Sequence, residues 1–298
     1  MKHHFLLFLV VFCASGTFGQ TILQYNLNKG DAFTIKQQAQ QIITQELDGA
    51  THELTNTIDG VLEFKVVGKI DDNYEIALTF KDLNLLMISS IQGELMNVKA
   101  KNVAEGDMQS QVFNSLLNSP VYLVLSKTGD ILEVKGGDSL VVKMTAASGL
   151  EDKFSLNIMK KSLEKEFGSE ALSNNYKQMT FIYSTKEIQV GDTWKNEYFG
   201  KLNTKNTWKL EAFTDTEASI SGIADIVMNV TEPATTMKLK GRQKTEITVD
   251  IATGFIKKMK VEGSSKGSST MTQMGGQEIP TTIASIITYK LINEIHVQ

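Results

Sequence analysis

Hydrophobic and polar residues alternate with period two over most of this chain. Tyr74, Ile76, Leu78 and Phe80 share one face, with Glu75, Ala77 and Thr79 on the other. Leu62, Phe64 and Val66 oppose Glu63 and Lys65, and Trp208, Leu210 and Ala212 oppose Lys209 and Glu211. Such alternation predicts antiparallel strands with one buried face. Asp71-Asp72-Asn73 supplies a turn between two of them. Helical spacing is concentrated in the middle. Met108, Val112, Phe113, Leu116 and Leu117 form a stripe that stops at Asn118-Ser119-Pro120, and Leu140, Met144 and Ala147 form another, closed by Gly149. Ser148-Gly149-Leu150-Glu151 fits a capping box ahead of Leu156, Met159, Leu163 and Phe167, with Lys160, Lys161, Lys165 and Glu166 on the opposite side. The Gly-, Ser-, Thr- and Met-rich stretch 263–276 reads as a loop or edge hairpin. Ile279 to Ile295 reads as a closing strand pair around Pro280.

Two stretches resemble one another. Lys29-Gly30-Asp31-Ala32-Phe33 and Val190-Gly191-Asp192-Thr193-Trp194 each place an aromatic residue two positions after Gly-Asp. Later in each stretch comes a strand, a Thr-Gly turn (128–129 and 253–254), a second strand and a glycine, which is a hairpin signature. The recurrence in the same order points to a duplication. It divides the chain into a first β unit with one inserted helix (20–136), a helical connector (137–175) and a second β unit (176–298). Trp194 is expected to anchor the second unit.

The remaining strongly apolar segment is Phe5 to Cys13. A short basic start precedes it, and Ala14-Ser15-Gly16-Thr17-Phe18-Gly19 follows. This is the arrangement of a secretory signal peptide over residues 1–19, cleaved between Gly19 and Gln20, with an apolar run too short to span a bilayer. The expected location is therefore outside the cytoplasm, periplasmic or extracellular. Nothing later is long and apolar enough for a transmembrane segment. Cys13, the single cysteine, would leave with the signal, so the mature chain would hold no disulfide and no thiol nucleophile. Charge is nearly balanced, with 30 basic and 34 acidic residues, and Arg242 is the only arginine. With so little of the residue that reads phosphate and guanine bidentately, nucleic acid is not an expected partner.

Each constellation that could carry chemistry has a structural explanation. His52 and His296 are the histidines of the mature chain, and neither shows metal-ligand spacing. Gly263-Ser264-Ser265-Lys266-Gly267 matches a nucleophile elbow, with Glu278 or Glu294 and His296 following in triad order. No helix pattern follows the serine, as an elbow requires. Ser162-Leu163-Glu164-Lys165 matches S-x-x-K, with Ser173-Asn174-Asn175 elsewhere, but Lys127-Thr128-Gly129 precedes it where penicillin-binding enzymes have it last. Asp31 and Asp192 sit where an Asp side chain binds its own turn. No phosphate loop or dinucleotide fingerprint occurs. These readings assign no catalytic residue, no metal and no cofactor, and the ligand-binding residues stay unknown. What remains is apolar: Leu83, Leu85, Leu86, Met87, Ile88 and Ile91 in one run, and Met228, Met237, Met259, Met271 and Met274 in the second unit. Methionine suits a permissive pocket as well as a core.

The signal ending at Gly19-Gln20, the two Gly-Asp openings and the Thr-Gly hairpins together resemble a family of uncharacterised exported bacterial proteins, a domain of unknown function. The resemblance spans nearly the whole mature chain and implies no activity. More distantly, the architecture is similar to periplasmic lipoprotein-carrier folds, in which helices lie over a curved sheet. The expected fold is mainly β (α+β), two related antiparallel curved sheet units with a few covering helices. The expected role is that of a non-enzymatic cell-envelope protein that shelters an apolar or lipid-like ligand between sheet and helices. The alternatives are a structural module that binds another envelope protein, and an unrecognised hydrolase.

Overall fold

The computed structural model describes residues 20–47, 49–200, 202–232, 234–272 and 275–297. The expected signal peptide, Cys13 and Met274 lie outside the described residues. Long strands dominate. A first meander holds β1 (Ala32–Leu47), β2 (Ala50–Ile70) and β3 (Asn73–Ser89), and the short β4 (Gly93–Lys99) folds back on β3. Then follow α1 (Met108–Asn114), β5 (Val121–Leu125), β6 (Ile131–Lys135), α2 (Gly137–Ala146), α3 (Lys153–Phe167) and α4 (Ser169–Thr180). A second meander closes the chain with β7 (Thr193–Tyr198), β8 (Leu202–Phe213), β9 (Glu217–Glu232), β10 (Thr235–Asp250), β11 (Ile256–Met271) and β12 (Glu278–Ile295). At about 3.3 Å per residue, the 21 residues of β2 extend about 70 Å.

The fold is mainly β, and its strands form one curved, open antiparallel sheet in the order β6-β5-β3-β2-β1-β12-β11-β10-β9-β8-β7, with β4 beside β3. The two expected units are therefore halves of one sheet. The first strand, β1, pairs with the last, β12, at its middle, where Ala32 lies opposite Ile295. Period-two alternation puts Phe33, Ile35, Leu62, Phe64, Ile76, Leu78 and Phe80 on one face, and all are buried. The helices cover this face. Tyr176 of α4 meets Phe64 and Phe80 edge-on, and Phe167 of α3 meets Phe80 and Phe113. Helix α4 contacts both edge strands, β6 and β7. On one side Lys177 pairs with Asp130 at 2.8 Å. On the other, Asn196 Nδ2 donates to Phe181 O and Trp194 Nε1 to Ile182 O. Covering both edges with one helix shields the backbone groups that a sheet edge would otherwise present.

The two Thr-Gly turns clamp the segment before β1. Tyr25 N donates to Lys127 O and Asn26 N to Thr253 O. A methyl group on Gly129 would lie 1.8 Å from Thr180 O, and one on Gly254 would lie 2.1 Å from Gln24 O. Both glycines also have positive φ, so neither position accepts another residue without strain. Between the turns Tyr25 is fully buried, packed edge-on against Tyr183 and Phe255.

Local structure departs from the sequence pattern in four places. Helix α3 starts after Asp152, whose carboxylate accepts from Phe154 N and Ser155 N. The expected capping serine, Ser148, instead donates to Thr145 O at the end of α2. Helix α4 runs past the expected connector boundary at 175. The Gly-Ser stretch from 263 is not an edge element, because β11 continues through it to Met271 between β10 and β12. Residues 279–295 form one strand rather than a pair, with Pro280 opposite Ser268. Small residues fit β11 because Leu239 and Lys238 press on it; a methyl group on Gly267 would lie 2.1 Å from Lys238 O.

Candidate functional site

The helix-covered face extends well beyond the helices, and its character changes along the strands. One register line crosses nine strands. It runs Asn196, Asn206, Ala224, Gln243, Gly263, Ser285, Gln41, Asn56 and Met87. Most of these positions are amides or small residues where alternation calls for apolar ones. Their hydrogen bonds gather toward the two ends of this line, the amide band. Asn206 Nδ2 and Trp208 Nε1 both donate to Asn196 Oδ1, at 2.9 and 3.0 Å. Tyr198 OH donates to Asn206 Oδ1, and Asn56 Nδ2 donates to Gln41 Oε1. Further along, Gln45 Nε2 donates to Ser269 Oγ at 2.8 Å, and that hydroxyl is 2.8 Å from Thr281 Oγ1.

Apolar rows flank the band. Toward the helices lie Ala39, Ile58, Leu85, Ile287 and Val261 in register. On the far side come Ile43, Leu54, Ile283 and Ile226, with Thr204 at the end of the row. Two polar atoms here are buried and have no hydrogen-bond partner: Asn56 Oδ1 and Thr204 Oγ1. An unpartnered buried polar group costs about 1–3 kcal/mol. Three phenols join the same interior. Burial pushes Tyr198 up to about 12, and its bond to Asn206 partly offsets the shift. Burial also raises Tyr289 and Tyr176, with smaller contributions from Tyr198 on Tyr289 and from Tyr289 on Tyr176. The face thus combines hydrocarbon walls with a polar stripe, which is the chemistry that receives an amphiphile.

The candidates read from sequence do not converge. His52 and His296 stand near opposite ends of the sheet. His52 pairs with Gln45 while Ile295, one residue before His296, pairs with Ala32. Thirteen residues of strand, about 45 Å, separate them. Ser265 lies in mid-strand on β11, not on a strand-to-helix turn. Ser162 Oγ donates to Ile158 O within α3, while Lys127 and Thr128 sit in the clamp beside Tyr25. Asp31 Oδ2 accepts from Asn28 N, and Asp192 Oδ2 accepts from Gln189 N, so each Asp closes its own turn. Asp31 Oδ1 also faces His296 Nδ1 at 3.6 Å. Met228, Met237 and Met271 are half-buried near the end of the sheet away from the clamp, while Met259 is buried. Among the described residues no group of three His, Cys, Asp or Glu side chains converges, and no helix is long and apolar enough to cross a membrane. The band escaped the sequence reading because its members are far apart in the chain. The available signal was Gln41, Gln45 and Asn56, polar residues at inward positions.

A family of unknown function (DUF6263) matches residues 71–256. No curated protein matches the sequence. Among solved structures, one of lipid–protein interactions in lipovitellin is similar in fold, with a TM-score of 0.53 at 12% identity. The likeness covers 92% of this chain and 26% of the lipovitellin chain, so this chain spans about a quarter of that protein. DynF from the dynemicin pathway of Micromonospora chersina aligns at a TM-score of 0.22 and 6% identity, over 94% of this chain and 88% of DynF. An outer membrane channel from Pseudomonas putida F1 aligns at 0.25 and 6%, over 90% and 97% of the two chains. At those scores neither bears on the fold.

Proposed function

We propose, from the premise that this chain belongs to the family of unknown function DUF6263, that it binds an amphiphile on the inner face of its sheet. Its hydrocarbon would lie on the Ile, Leu and Val rows, and its polar head would meet the amide band. The observation that carries this reading is the band itself, a register line across nine strands with polar side chains at Asn196, Asn206, Gln243, Ser285, Gln41 and Asn56, and with Asn56 Oδ1 and Thr204 Oγ1 unpartnered. Each buried methylene would contribute about 0.8 kcal/mol. About ten of them would therefore contribute about 8 kcal/mol, comparable with the lower part of the about 4–15 kcal/mol cost of association. The lipovitellin structure concerns lipid–protein interactions in that protein, and the shared fold is consistent with a lipid-like ligand here. In this reading the chain is an exported, non-enzymatic binding protein of the cell envelope, and the apolar run at Phe5 to Cys13 is what supports export.

The test is mass spectrometry of the organic extract from protein purified without detergent, followed by titration with a fluorescent fatty acid. A stoichiometric amphiphile, and saturable binding weakened in Asn56→Leu and Thr204→Val, is the expected outcome. Thr204→Val removes an unpartnered buried hydroxyl, so it should hold or raise the thermal midpoint while affinity falls. An empty extract with no saturable binding overturns the reading. It would favour the second one, docking of another envelope protein, for which the exposed Ile91, Leu95, Val103 and Met108 around β4 provide an apolar surface.

A further inference from the structure

The opposite face of the sheet carries a second feature that the amphiphile reading does not use. A groove of about 810 Å³ crosses the outer side of β9 to β12 and β1. Lys36, Lys290 and Lys258 stand in one cross-strand row there, Lys290 directly opposite each of the other two. The row continues through Thr248 and Ser219. Like charges placed directly opposite on neighbouring strands repel, and the chain as a whole is net negative, at −4. Several other lysines of this face are neutralised locally. Lys244 pairs with Glu246 at 2.6 Å, Lys260 with Glu262 at 2.8 Å and Lys209 with Glu211 at 2.7 Å. Lys36 pairs with Asp59 at 3.2 Å. Among the described residues, neither Lys258 nor Lys290 has a carboxylate within ion-pairing distance. Two uncompensated ammonium groups thus sit side by side in a groove, with hydroxyl donors next in line.

We propose that this groove binds a phosphate monoester group through Lys258 and Lys290, with Lys36 on one side and the Thr248 hydroxyl on the other. Two uncompensated positive charges match a dianion better than a singly charged carboxylate. Strands about 4.8 Å apart bring flexible lysine heads from neighbouring strands within reach of one phosphoryl group. Lysine acts here as a point charge with rotatable donors, and the Thr248 hydroxyl, one strand from Lys258, supplies a directed hydrogen bond.

Calorimetric titration of the full chain with inorganic phosphate, at fixed ionic strength set by chloride, tests the proposal. Co-sedimentation with phosphatidylcholine vesicles, with and without phosphatidic acid, supplies the second arm. Saturable phosphate binding would be lost at least tenfold in the double variant Lys258→Gln/Lys290→Gln. It would be largely kept in Lys258→Arg/Lys290→Arg and unchanged in Lys238→Gln/Lys240→Gln, which removes two exposed lysines outside the groove. Binding in both arms assigns the site to the phosphoryl group itself, and binding to phosphatidic acid vesicles alone assigns it to a lipid headgroup. No saturable binding in either arm overturns the proposal. So does an equal loss in the Lys238/Lys240 control. Because these lysines are exposed, an unchanged thermal midpoint in all variants separates lost binding from lost folding.

Discussion

Alkaline unfolding follows from the tyrosines. Tyr25, Tyr176, Tyr183, Tyr198 and Tyr289 are buried, and burial is the leading cause of a raised pKa at each. A phenol whose folded pKa exceeds its unfolded value of 10 holds its proton longer in the folded state. Its contribution to stability is therefore complete below pH 10 and declines as pH rises from there toward the folded pKa. Each such phenol removes about 1.4 kcal/mol of stability per pH unit in that window. Five together remove about 7 kcal/mol per unit, against a typical total of about 5–15 kcal/mol for a domain. The sheet should collapse cooperatively within about one to two units above pH 10. Phenolate absorbance and far-ultraviolet circular dichroism, followed on one sample through an alkaline titration, check this. The absorbance belonging to these five phenols should appear only as the β signal is lost. Tyr176→Phe should lower the pH dependence by about 1.4 kcal/mol per unit. Ionisation of all seven tyrosines with the β signal intact would refute the claim that these five rings are sealed from water.

Two further outcomes test the packing. Trp194→Ala should cost about 3–5 kcal/mol, read as a lowered urea midpoint, because Trp194 is buried opposite Trp208 and ties β7 to Ile182. Gly222→Ala should cost about 1–3 kcal/mol, because a methyl group there would lie 2.4 Å from Trp208 Cζ3 and Trp208 is itself almost fully buried. A shift in Trp208 fluorescence should accompany it.

Sequence alone determined what depends on neighbours in the chain. Alternation at 62–66, 74–80 and 208–212 marks strands because side chains of a pleated strand change face at every residue. The Thr-Gly turns and the Gly-Asp turns were legible for the same reason, since their hydrogen bonds span three or four residues, as Asp31 to Asn28 and Asp192 to Gln189 show. Helix α3 was visible as a stripe, though its start was not, because Ser148 and Asp152 are both competent caps and only packing at the end of α2 decided between them. Tertiary structure decided what depends on register. The stretch from Gly263 to Met271 has poor strand propensity. It is a strand because β10 and β12 pair along both its edges, and their close approach favours small side chains. The amide band joins Asn196 to Asn56 across strands that are remote in sequence, and the lysine row joins Lys36 to Lys290 and Lys258. A one-residue slip in any of those pairings would turn the intervening side chains to the other face. Neither constellation exists before β1 has found β12.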